Sequence, residues 1–157
     1  MRVGITGHRG LPQPVEDQVR ALLLEHAHTY SARDIVAISC LADGPDTWWA
    51  QTVLTAGGQL EVVTPATEYR DGLPEWHHSD YDDLMKRARH VHHTGLKEST
   101  PEAHQAGSEI LVGLSDRLVA VWDGLPARGH GGTADVVAYA ERVGVPVTVV
   151  WPTGATR

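Results

Sequence analysis

Apolar runs of strand length alternate with helix-period stripes along most of this chain, and the alternation predicts an α/β fold. Val3-Gly4-Ile5-Thr6 is a short β-type run that ends at Gly7-His8-Arg9-Gly10. From Gln13 to about His28, Val15, Val19, Leu22, Leu23 and Ala27 recur at helical spacing, with Pro14 in a first turn that has no use for its missing N–H. Asp34 to Ser39 carries a second strand, Ile35-Val36-Ala37-Ile38. A helix from Asp46 to Ala56 follows, turning Trp48, Trp49, Thr52, Val53 and Ala56 inward until Gly57-Gly58 stops it. Leu60 to Thr64 is the third strand.

The period then breaks. Pro65 to Asp83 mixes Tyr69, Arg70, Trp76, His77, His78 and Tyr81 with acidic residues, the pattern of a lid or binding loop. Leu84, Ala88 and Val91 suggest a helix from about Asp80 that passes into a weak strand near Val91 to Thr94. Thr100 before Pro101 is a helix start, with Ala103, Ala106, Ile110 and Leu114 as its buried stripe. Leu118 to Trp122 is apolar at every position, as a parallel strand covered on both faces requires. A glycine-rich turn leads into a helix through Val136, Val137 and Ala140 that ends at Gly144, and Pro146 to Trp151 is the last strand. About six strands alternating with five helical segments imply one domain over residues 1–157. Its mainly parallel sheet has right-handed crossovers and helices on both faces.

Composition narrows the function. The formal charge of −7 and the lack of any basic run disfavour a partner gripped by its phosphate backbone, so no nucleic acid is expected. No apolar run approaches the roughly 18 residues of a membrane span, and nothing at the start reads as a signal peptide, so a soluble cytoplasmic protein with no membrane partner is expected. Cys40, the single cysteine, excludes an internal disulfide and reads as a small buried hydrophobe. His77-His78 and His90, His92 and His93 lack ligand spacing such as HExxH, and no metal is expected.

Three strand-to-helix turns carry ligand chemistry. Gly129, Gly131 and Gly132 let a ligand approach the backbone, His130 lies among them, and Thr133 can cap the following helix, whose N-terminus presents free N–H groups to an anion. Asp135 sits where a ribose hydroxyl can use it. In the first turn Gly7 and Gly10 free the backbone, Arg9 can pair with a phosphate and His8 can donate to one. The third turn is Ala42-Asp43-Gly44-Pro45-Asp46: one of Asp43 and Asp46 caps the next helix while the other faces a ribose or base. His104 can also reach such a ligand; Lys97 can too, although a solvated surface position is the expectation for it.

GITGHR, SCLADGPD, AVWDGLPARGHGGTADVVAYA and VVWPTGATR, in that order, resemble the SLOG superfamily over nearly the whole chain. That group includes the cytokinin-activating LOG phosphoribohydrolases, the molybdenum-cofactor carriers, the DNA-processing protein A family and small stand-alone bacterial domains, to which this sequence is most similar. The resemblance implies a three-layer Rossmann-like fold and a nucleotide-type ligand, with no other cofactor required. It places that ligand on the Gly7-His8-Arg9, Ala42-Asp43-Gly44 and Gly131-Gly132-Thr133 turns. It also makes a homodimer or higher homo-oligomer possible. LOG-like enzymes carry PGGxGTxxE. With Thr133 matched, Arg128 stands for the proline, His130 for the second glycine and Val136 for the glutamate, so the catalytic acid is missing and Asp135 is one residue, about 100° of helix, away.

Binding or sensing of a nucleotide-type molecule is therefore the first expectation. A nucleotide or nucleotide-sugar hydrolase using Asp135 or Asp123 is the second. A protein-interaction module with an idle pocket is the third, favoured by exposed Trp48, Trp49 or Trp76.

Overall fold

The computed structural model describes residues 1–127 and 132–157. Six strands, β1 (Arg2–Gly7), β2 (Val36–Ser39), β3 (Gln59–Thr64), β4 (His90–His93), β5 (Arg117–Val121) and β6 (Val147–Val150), form one sheet in the order β4-β3-β2-β1-β5-β6. Every pairing is parallel. The helices are α1 (Gln13–Ala27), α2 (Pro45–Thr55), α3 (His78–Arg87), α4 (Pro101–Leu114) and α5 (Thr133–Val143). This is the α/β Rossmann-like architecture implied by the sequence.

Helices α1, α2 and α3 cover one face, where Val19, Leu23, Trp49, Val53 and Leu84 pack on Val3, Ile5, Leu60 and Val62. Helices α4 and α5 cover the other, with Leu111, Val112, Val136 and Ala140 on Ile38, Val63 and Leu118. The alternation within each central strand thus serves two apolar layers, which is why β2 and β5 lack a polar face. The chain builds outward from β1 to β4 on one side and then returns to set β5 on the other flank of β1. Strand order reverses there, and the carboxyl ends of β1 and β5 diverge around a crevice.

Four local expectations change. The irregular Pro65–Asp83 segment is not an open loop: two 3-10 turns, Arg70–Gly72 and Glu75–His77, lead directly into α3. Tyr69, Leu73, His77 and Tyr81 are buried along it. Aromatic and histidine side chains anchor it by polar as well as apolar contact, which breaks the hydrophobic period; His77 Nε2 lies 2.9 Å from the Leu41 carbonyl.

The buried stripe of α4 is Ala103, Gly107, Leu111 and Val112, one position round from the expected Ala106, Ile110 and Leu114. Gly107 sets that rotation, since a Cβ there would stand only 3.0–3.2 Å from three atoms of Pro65. A glycine chosen for close approach is invisible to a hydrophobic pattern.

Neither Asp43 nor Asp46 caps α2. The N-cap is Gly44, at φ +93°, with no side-chain cap bond. Thr133 is likewise the first helical residue of α5 rather than its cap, a place taken by Gly132. Thr100 does cap α4, its Oγ1 accepting from the Ala103 N–H at 3.1 Å. No helix among the described residues is long and apolar enough to cross a membrane.

Candidate functional site

A cleft of about 340 Å³ opens at the carboxyl ends of β1 and β5. Its floor is Ile5, Thr6 and Gly7 of β1 with Cys40 beyond β2, and its walls are Pro65, Tyr69 and Leu73 on one side and Gly132, Thr133 and Val136 on the other. Its charged and titratable side chains are His8, Arg9, Cys40, Asp46, Tyr69, His104 and Arg157. Among the described lining residues Asp46 is the sole carboxyl, and the two lining arginines, Arg9 and Arg157, are each paired with a carboxylate behind them, Asp43 and Asp123.

His8 is buried at the mouth of β1, its N–H bonded to the Val121 carbonyl at 3.1 Å. Its Nε2 lies 3.1 Å from Asp123 Oδ1, and Arg157 Nη1 lies 3.1 Å from its Nδ1. Arginine has only donors, which assigns Nδ1 as acceptor and puts the ring proton on Nε2, toward the carboxylate. On this assignment the Asp123 N–H, 3.2 Å from Nε2, is not bonded to it. Arg157 Nε stands 2.8 Å from Asp123 Oδ2 as an ion-pair contact without the alignment of a hydrogen bond. Burial pushes the Asp123 carboxyl up, but the Leu125 N–H, His8 and Arg157 outweigh it and hold the group below its ordinary value. Trp151 closes the outer side of His8, ring edge to face at 5.7 Å.

Arg9 follows on the same loop. Its Nε and Nη2 lie 2.9 and 2.6 Å from Asp43 Oδ1, while its side chain stays half exposed at the cleft. The pair bridges the loops after β1 and β2 and fixes the guanidinium at the rim. Deeper, Asp46 Oδ2 accepts from the Ala42 N–H at 3.3 Å. Burial pushes this carboxyl up to about 7, against the pull of the Ala42 N–H and Arg9 and with a smaller push from Asp43. Burial also raises the Cys40 thiol well above its usual value. Leu41, between them, is held at φ +58° by a bond from its N–H to Ser39 Oγ at 3.0 Å, a strained conformation for a leucine. His104 closes the far wall, 2.8 Å from Ser99 Oγ and edge-on to Tyr69; burial lowers its pKa, with Arg9 adding to the effect.

Of the residues the sequence points to, the cleft gathers Gly7, His8, Arg9, Ala42, Asp46, Gly132 and Thr133. Asp43 acts at one remove through Arg9, and Gly44 is the turn beneath it. Asp123 stands behind His8. Asp135 is half-buried in the first turn of α5, and the α5 side chain that lines the cleft one residue on is Val136. Gly129, His130 and Gly131 lie outside the described residues. Lys97 is exposed and absent from the described cleft lining. Tyr69 comes to the lining from the Pro65–Asp83 segment, while Arg157, Cys40 and Ser99 join the site without a sequence signal of their own. Arg157 is the telling case: β6 lies beside β5, so the segment after β6 returns over the switch point.

No protein-family model matches the chain, and no curated protein matches it in sequence. Solved structures do. DNA processing protein A from Streptococcus pneumoniae is 18% identical over 98% of this chain and 51% of its own, with a TM-score of 0.69. The Helicobacter pylori protein of that name is 17% identical over 99% of this chain and 68% of its own, TM-score 0.73. The molybdenum cofactor carrier protein of Chlamydomonas reinhardtii is 19% identical over 94% of this chain and 74% of its own, TM-score 0.58. These are SLOG-type Rossmann-like proteins, and this chain has their fold. It spans about half the length of the S. pneumoniae protein.

The H. pylori structure describes a mode of single-stranded DNA binding. That overturns the exclusion of nucleic acid drawn from net charge. Bulk charge sums the whole surface, whereas a strand meets a local field, and Arg9 and Arg157 stand at the cleft although the chain as a whole is acidic.

Proposed function

We propose that this chain binds a nucleotide-type anion in the β1–β5 cleft, its phosphates against Arg9, Arg157 and the Thr133 turn and its remaining groups toward Asp46, Tyr69 and His104. The observation that carries this reading is the convergence of two arginines on a switch-point cleft whose described lining holds one carboxyl, in a chain of charge −7. The half-exposed guanidinium of Arg9, preset by Asp43, keeps N–H groups for a ligand at no cost in side-chain ordering. The N-terminus of α5 adds its partial positive charge. No further cofactor is needed for binding alone. The fold is shared with a single-stranded DNA binder and a molybdenum cofactor carrier, which supports a phosphate-bearing ligand and leaves its size open.

Hydrolysis of such a ligand by Asp135 or Asp123 is supported less well. Asp123 is held ionised by His8 and Arg157, which suits a stabiliser of positive charge better than a proton donor. The interaction-module reading loses its tryptophan patch, since Trp48 and Trp49 are buried and Trp76 alone of the three is exposed.

The test is the melting temperature against nucleoside mono-, di- and triphosphates, cyclic dinucleotides, ADP-ribose and single-stranded oligonucleotides. Ligand at 100 times its dissociation constant adds about 2.7 kcal/mol, several degrees for a chain of this size. A rise lost in Arg9→Ala supports the reading. No rise with any of them contradicts it.

A further inference from the structure

We propose that the phosphate-bearing ligand is taken up in the cleft together with a proton on Asp46. The inference rests on the anion-binding reading above and concerns the same site.

Asp46 is the second residue of α2 and lies on the cleft lining. One of its oxygens is taken by the Ala42 N–H. The other has no hydrogen-bond partner among the described residues, so it is open to a ligand. No cation is bonded to it, because the Arg9 guanidinium is directed to Asp43 instead. The groups that face it are Cys40 from the end of β2, Asp43 from its own loop, Arg9 from the loop after β1 and Tyr69 from the wall ahead of α3. Tyr81 and His104 stand behind Tyr69. Burial raises the Cys40 thiol and the Tyr69 hydroxyl, keeping both neutral near pH 7. Proton exchange on this floor therefore falls to Asp46, whose carboxyl burial brings to about 7.

The two forms meet a phosphate differently. Protonated, Asp46 is neutral and offers an O–H to an acceptor oxygen. Ionised, it offers only acceptors and a negative charge beside the phosphate, where like charges repel. Binding an anion raises the proton affinity of Asp46, and by linkage protonation of Asp46 raises the affinity for the anion.

The experiment is calorimetric titration with ADP-ribose, whose pyrophosphate keeps its charge from about pH 5.5 to 8.5. Affinity of the wild type should weaken roughly tenfold across that range, matching a tenfold rise in the proton affinity of Asp46 when the anion binds. Asp46→Asn, isosteric, permanently neutral and still able to accept from Ala42, should hold its tight-binding affinity with most of that slope gone. Every other ionisable group is common to the two proteins and cancels in the comparison. A parallel titration with oligothymidylate tells a free nucleotide from a strand as the source of the phosphates. If the variant fails to fold, carbon NMR of the Asp46 carboxyl in the wild type serves instead: its midpoint should rise when ADP-ribose is added. Equal slopes in the two proteins, or an unmoved midpoint with ligand bound, overturn this inference and leave the anion reading standing. No binding of either probe at any pH overturns both.

Discussion

The guanidinium of Arg157 locks the His8–Asp123 pair, touching His8 Nδ1 at 3.1 Å and Asp123 Oδ2 at 2.8 Å while Nη2 bonds the Pro126 carbonyl at 3.0 Å. The segments after β1, β5 and β6 are thereby tied together at the mouth of the cleft. Arg157→Ala should cost about 1–3 kcal/mol by leaving a buried carboxylate underpaired. Asp123 has its pKa depressed, so its contribution is present above its unfolded value and lost as pH falls through the folded value. The gap in denaturant midpoint between wild type and variant should therefore be full at pH 7 and narrow below about pH 4.

Asp46 has the opposite sign. Its folded value of about 7 lies above the 3.8 of a carboxyl in water, so the folded protein resists losing that proton and stability declines as pH rises between the two values. Asp46→Asn should melt several degrees above the wild type at pH 8 and by much less at pH 4. Equal differences at both pH values would mean that the fold does not raise the proton affinity of this carboxyl.

Away from the cleft, Glu61 on β3 is buried and accepts from Arg2, Arg89 and His92. Burial would raise its pKa, yet His92, Arg89 and Arg2 together bring it below its ordinary value. This hub pins β1, β3 and the edge strand β4. Glu61→Ala should lose about 1–3 kcal/mol in denaturant unfolding, because it removes three hydrogen-bonded partners while the freed, partly exposed cations regain water. Glu61→Gln, which keeps an acceptor, should lose less.

Gly7 ends β1 where a Cβ would stand 2.8–2.9 Å from Pro45 and Val121. Gly7→Ala should destabilise by about 1–3 kcal/mol and weaken anion binding beyond what the stability loss explains, since the clash moves the Arg9 loop. Gly10→Ala, with open space around its Cβ but φ +66°, should cost backbone strain alone.

Where sequence and structure agree, one physical rule acted alone. Parallel strands covered on both faces need continuous apolar runs, and Leu118–Val121 and Val36–Ile38 show them. Thr100-Pro101 marks a helix start because capping is local. The misreadings arise where two demands compete. Gly107 was chosen for contact with Pro65 rather than hydrophobicity, and the segment before α3 was anchored by Tyr69, His77 and Tyr81 rather than by aliphatic residues. At the site, the glycine turns and Arg9 are visible because close approach and anion pairing call for those residue types. Arg157 is not, because only the β5–β6 adjacency brings it to His8, and neither is the environment of Asp46, which depends on burial by Cys40 and Tyr69.

The most direct test of the central claim is where an anion binds. Amide NMR spectra of the chain recorded during a titration with ADP-ribose should show shifts concentrated at Gly7–Arg9, Ala42–Asp46, Ser99, Gly132–Val136 and Arg157, and the same titration of Arg9→Ala should lose most of them. Saturable shifts confined to a face away from the β1–β5 cleft, or none up to millimolar ligand, would contradict the account.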